Sequence, residues 1–122
     1  MPGPPAREGR RAGTAGSGRS AMIKHIVMWR VAGTSAAEQA GNAQRIRAAF
    51  EGLRGRIPGL RHLEVGVDRS RVAEACDVVL YSEFDTQAAL DLYRDHPEHG
   101  RVRAELQGLR ISRHQVDYAV GG

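Results

Sequence analysis

The chain is short of most things that would commit it to a specialised class. Its 122 residues include a single cysteine, Cys76, so no disulfide framework within the chain is available and a reducing, cytoplasmic setting is expected. No apolar run approaches the ~20 residues that a membrane helix needs, which excludes a spanning segment. Lysine is nearly absent: Lys24 stands alone and the other basic residues are arginine, a bias we attribute to base composition of the gene. No glycine-rich phosphate loop, serine elbow or paired-carboxylate motif occurs. A second domain has no room at this length.

A positive balance of +4 first suggests a nucleic-acid partner. Its distribution points away from one. Residues 1–20 hold Arg7, Arg10, Arg11 and Arg19 against Glu8, while residues 21–122 carry 14 basic and 13 acidic groups. The remainder is thus close to neutral, and neither nucleic acid nor membrane is expected as a partner. The same first 20 residues contain five Gly, three Pro and no Val, Ile, Leu, Phe, Tyr or Trp. Such a stretch buries too little apolar surface to offset ordering entropy, so a disordered tail is expected, with Met22 as an alternative initiator. It lacks the apolar centre of a secretory signal.

From Met22 onward the pattern sharpens. MIKHIVMWRV (22–31) is apolar on both alternating faces, with Ile23, Val27, Trp29 and Val31 on one and Met22, Ile26 and Met28 on the other. That reads as a strand covered on both sides. Ser35 and Glu38 have capping-box spacing ahead of a helix whose buried stripe is Ala43, Ile46, Phe50 and Leu53. Ile57-Pro58-Gly59 stops that helix. Leu60–Asp68 alternates as a half-buried strand with Leu63, Val65 and Val67 inward, and residues 77–84 form a second two-sided strand. A helix capped at Asp85 or Thr86 follows, with Ala89, Leu92 and Tyr93 on one face. Pro97 interrupts it, a further helical segment carries His99, Val102 and Leu106, and residues 111–120 close as a strand.

The order β-α-β-β-α-β predicts an α+β, ferredoxin-like fold with a four-stranded antiparallel sheet. Its central strands are the first and third, the same two that read as apolar on both faces. Two helices cover one sheet face, and the other, with Ile26 and Met28, is left for a second copy of the chain, giving a homodimer.

The segment Tyr93-Arg94-Asp95-His96-Pro97-Glu98-His99 is the candidate for chemistry. Pro97 suits the first position of a new helical turn and pushes His96 into the N-cap. His99 then lies near a helix N-terminus, whose partial positive charge favours the neutral imidazole that a general base requires. Tyr93 and His25 lie on faces that converge with it, inside an apolar pocket. The same residues also suit a non-catalytic protein in which they serve packing and hydrogen bonding. As a metal site the pair His96 and His99 is poorly spaced, and no metal or other cofactor is expected. His62 and His114 read as surface positions, and Cys76 lacks an activating positive neighbour.

MIKHIVMWRV, IPGL (57–60), DVVLYSEF (77–84) running into DTQAAL, and DLYRDHPEH (91–99) together resemble the stress-responsive A/B barrel (Dabb) domain family over residues 22–120. The resemblance implies a dimeric α+β barrel. One enzymatic member is a plant polyketide cyclase that closes a linear poly-β-ketone by aldol condensation without a cofactor. By the YxxHPxH pattern its catalytic tyrosine and histidine fall on Tyr93 and His99, and a strand histidine falls on His25. A further pocket histidine of that enzyme has no counterpart, because Val78 stands at its place. The implied reaction is proton abstraction beside a carbonyl of a small, largely apolar ketide or aromatic compound. In it His99 serves as base, Tyr93 orients that base or donates to the developing oxyanion, and His25 holds the carbonyl.

Overall fold

A computed structural model describes residues 21–121. The expected tail over residues 1–20 lies outside the described residues. The elements are β1 (Ile23–Val31), α1 (Ala36–Glu51), β2 (Leu60–Val67), β3 (Val78–Phe84), α2 (Gln87–Arg94), α3 (Pro97–Glu105) and β4 (Arg110–Ala119). All strand pairings are antiparallel and the sheet order is β2-β3-β1-β4. The expected βαββαβ fold is observed, with Pro97 splitting the second helical region into α2 and α3.

Strand alternation sets the two faces. Ile23, His25, Val27, Trp29 and Val31 of β1 are buried on one side, next to Val78, Leu80, Ser82 and Phe84 of β3. The helices close this side with Ile46, Phe50, Leu90, Val102 and Leu106. Trp29 and Phe50 stack with centroids 5.3 Å apart, joining sheet to α1. The opposite face brings Ile26 beside Tyr81 and Val116, and Met28 beside Val79. It remains open, with Met28 37%, Val116 51% and Tyr118 47% exposed. No helix among the described residues is long and apolar enough to cross a membrane.

Two local expectations are corrected. Ser35 caps α1 by accepting from the Glu38 N–H at 3.1 Å, but Glu38 returns to the Thr34 N–H at 2.6 Å, not to the cap itself. The acidic side chain reaches one residue further because the Thr34 hydroxyl also donates to it. In α2 the core residues are Leu90 and Tyr93, while Leu92 is 69% exposed. Leu90 and Tyr93 are three apart and share a face; Leu92 lies ~100° of helical rotation from Tyr93 and turns outward.

Gly59 fixes the entry to β2. Its φ is +82°, and a Cβ there would come within 2.5 Å of the Ala89 Cβ. Both the left-handed backbone and the contact with α2 disfavour any larger residue. Gly59→Ala is therefore expected to lower stability by about 2–4 kcal/mol, combining backbone strain and overpacking. Urea unfolding at fixed protein concentration checks this; an unchanged midpoint contradicts the packing described.

Candidate active site

The break between α2 and α3 is built as its sequence requires. His96 adopts an extended backbone, φ −69° and ψ 138°, and caps α3, its Nδ1 accepting the Glu98 N–H at 3.0 Å. Pro97 occupies the first turn, where no N–H is needed. One turn on, the His99 Nδ1 lies 3.1 Å from the carbonyl oxygen of Arg94. A carbonyl only accepts, so Nδ1 carries the proton and Nε2 keeps its lone pair. Burial holds the His99 pKa below the ordinary imidazole value, and the nearby Arg103, His25 and Arg110 charges act the same way, against the Arg94 carbonyl. Neutrality was expected from the helix N-terminus; desolvation is the main cause instead.

Tyr93 packs against this ring, with centroids 4.5 Å apart, and is only 3% exposed. Burial pushes its phenol well above the ordinary value, so the hydroxyl stays protonated and is a donor. That hydroxyl bonds to no described residue, yet among the described residues no buried side-chain nitrogen or oxygen lacks a partner. The oxygen therefore reaches the surface of the cleft it lines.

His25 completes the group, its ring 6.2 Å from Tyr93. It donates from Nδ1 to Asp117 across the β1–β4 pairing at 2.6 Å. Arg94 binds the other Asp117 oxygen at 2.8 Å, and Gln115 donates to that oxygen at 2.9 Å. Burial opposes ionisation of Asp117, but the His25 and Gln115 hydrogen bonds and the Arg94 charge hold its pKa below the ordinary value. With Nδ1–H committed to Asp117, neutral His25 offers a lone pair at Nε2. Donation to a substrate carbonyl requires the imidazolium, whose charge Asp117 balances.

The structure thus brings Tyr93, His99 and His25 to one cleft of about 820 Å³ between the sheet and the α2–α3 break. Asp117 had been missed, because only the pairing of β1 with β4 reveals its place. Val78, by contrast, is core and not part of the cleft wall. The expected apolar pocket needs correction. Val27, Trp29, Phe50 and Leu80 give it apolar walls, but Arg103, Arg110, Arg113 and Gln115 also line it. These polar side chains come mainly from the edge strand β4, where no neighbouring strand covers them. Exposed positions for His62 and His114 agree with expectation. No group of three His, Cys, Asp or Glu side chains suited to a metal occurs among the described residues. A smaller groove of about 440 Å³ beside α1 and α3 is lined by Arg45, Arg56, Arg101 and Glu105, with no His, Tyr or Cys.

Residues 23–120 match the model of the Stress responsive A/B Barrel Domain, Dabb. The chain belongs to that family. Among solved structures, this Dabb chain is similar to a dimeric protein of unknown function with a ferredoxin-like fold from Bacteroides fragilis. Identity is 33%, over 80% of this chain and 95% of that one, with a TM-score of 0.67. A Dabb family protein from Mesorhizobium loti is 24% identical over 84% of this chain and 99% of that one, TM-score 0.66. A hydroxynitrile lyase from Passiflora edulis is 17% identical over 84% and 96%, TM-score 0.69, a likeness of fold alone. No curated protein sequence matches the chain.

Proposed function

We propose that this Dabb chain is a homodimeric, cofactor-independent acid/base catalyst acting on a small ketide or aromatic carbonyl compound. The observation that carries the reading is the pinned His99 tautomer beside a protonated phenol that has no hydrogen-bond partner among the described residues, in the same cleft. His99 Nε2 removes a proton from the carbon next to the carbonyl. The C–H electron pair moves to the carbonyl oxygen as an enolate, and the Tyr93 hydroxyl donates to that oxygen. The enolate carbon then attacks a second carbonyl, as in cyclisation, or recovers the proton. His25, its Nδ1–H held by Asp117, lines the same cleft and presents its Nε2 to the substrate. The homodimer reading is supported by the open apolar sheet face and by the dimeric Bacteroides relative.

The pH dependence tests the assignment. A base must be deprotonated, so activity rises with pH through the His99 pKa. Because burial depresses that pKa, the midpoint is expected below the ordinary 6.5. The rate should then stay flat past pH 9, because the Tyr93 phenol remains protonated. Hydrogen–deuterium exchange at the α-carbons of benzylacetone, followed by NMR across pH 5–10, supplies the profile. Tyr93→Phe should lower the plateau ~10²-fold without moving the midpoint. A midpoint above 6.5, or an unaltered plateau in Tyr93→Phe, would contradict the assigned roles.

A further inference from the structure

The cleft contains a cluster of charge that the acid/base reading does not use. Arg103 of α3 and Arg110 and Arg113 of β4 line it together. None of the three takes part in an ion pair among the described residues, although Arg30, Arg47, Arg54, Arg56, Arg61, Arg94 and Arg101 all pair or hydrogen-bond. One carboxylate, Asp95, is among the lining residues, against these three guanidinium groups. Arg110 is the most restrained of them: its guanidinium carbon sits 5.0 Å from the Trp29 ring centroid and 5.9 Å from that of Phe50. Stacking leaves the edge of a guanidinium, with its forked N–H groups, free to meet an anion. Burial depresses the Arg110 pKa, and Arg113 and Arg103 depress it further, so the like charges lie within reach of one another. Three unpaired cations converging on one cleft repel, and an anion between them relieves that repulsion.

We propose that the cleft takes a carboxylate-bearing molecule, its acid group held by Arg110 and Arg113 with Arg103 at the rim, and its apolar body against Val27, Trp29 and Leu80. This rests on the reading of the cleft as a substrate site and narrows the substrate to an acid, such as a keto acid or an aromatic acid. A guanidinium fork meets both oxygens of a planar carboxylate at once, and the apolar walls suit an attached ring or chain.

Trp29 is the sole tryptophan of the chain and lines the site, so its emission reports occupancy. 3-Phenylpropionate should quench or shift Trp29 emission saturably and bind at least 10-fold more tightly than its neutral amide, 3-phenylpropanamide. Arg110→Gln and Arg113→Gln should each weaken 3-phenylpropionate at least 10-fold and leave the amide unchanged. Arg113 is exposed, so Arg113→Gln keeps the proposal testable should the Arg110 variant fold poorly. Equal affinity for acid and amide, affinity insensitive to both variants, absence of any saturable response, or tighter binding of phenyl phosphate would each overturn it. The parent protein separates the two readings. Saturable 3-phenylpropionate binding without carbon-acid exchange means that the catalytic reading fails and the carboxylate site stands.

Discussion

His99→Ala is expected to reduce α-carbon exchange by ~10²–10⁴-fold, the usual contribution of a positioned general base. The expectation follows from where the proton sits. His99 donates through Nδ1 to the Arg94 carbonyl, so its Nε2 lone pair is held in one direction and needs no rearrangement before reaction. His96, its Nδ1 spent on the Glu98 N–H as the α3 cap, is not among the residues that line the cleft, and His25 approaches from β1, its ring 6.2 Å from that of Tyr93. Loss of activity alone would also follow from a distorted cleft, so exogenous imidazole provides the second readout. The cavity left by alanine admits a free base, and imidazole should restore part of the exchange with a pH dependence set by its own pKa. His99→Ala with exchange within threefold of the parent would remove His99 from the chemistry. Unaltered binding of 3-phenylpropionate to the same variant would show that the cleft itself is intact.

The fold was readable because its signals are local. The period of two in β1 and β3 marks central strands, and Ser35, Thr86 and Pro97 each act within four residues of their position. His25 and Tyr93 were found as inward residues on strand and helix for the same reason. The rest of the site was not readable, since it depends on pairing between distant segments. Asp117 is 92 residues from His25, and its role exists only because β4 runs antiparallel beside β1 in the stated register. Arg110 and Arg113 lie on an edge strand, RISRHQVDYA, where charged residues look like ordinary solvated surface. Only the fold turns them toward Trp29 and the cleft. The Leu90/Leu92 exchange has another origin: α2 is eight residues long, too short for apolar spacing to choose between two leucines. His99 neutrality was expected for a weaker cause than the one that acts, because burial of a side chain cannot be weighed before its neighbours are known.

Val116→Asp is expected to convert a homodimer into a single subunit. Val116 pairs with Ile26 on the sheet face opposite the helices, and Tyr118, Met28, Tyr81 and Val79 extend the same face. In one protomer Val116 is 51% exposed, so aspartate there adds little folding cost and leaves the core untouched. In a face-to-face pair the carboxylate would be buried against apolar side chains with no partner. Removing a charge from water without pairing it costs at least about 3 kcal/mol in practice, and two-fold symmetry introduces two such charges. The resulting ~6 kcal/mol corresponds to ~10⁴-fold in Kd, enough to dissociate a dimer held at nanomolar affinity. Val72→Asp is the control: it is equally exposed, at 51%, but lies in the loop between β2 and β3, and should not alter assembly. Sedimentation equilibrium at micromolar concentration should give twice the chain mass for the parent and for Val72→Asp, and one chain mass for Val116→Asp. Gln115, beside it in sequence, points into the cleft while Val116 points away. Assembly and ligand binding can therefore be separated at adjacent residues. A parent protein that sediments as a single chain, or a Val116→Asp protein that remains paired, would remove the sheet face as the place where two copies meet.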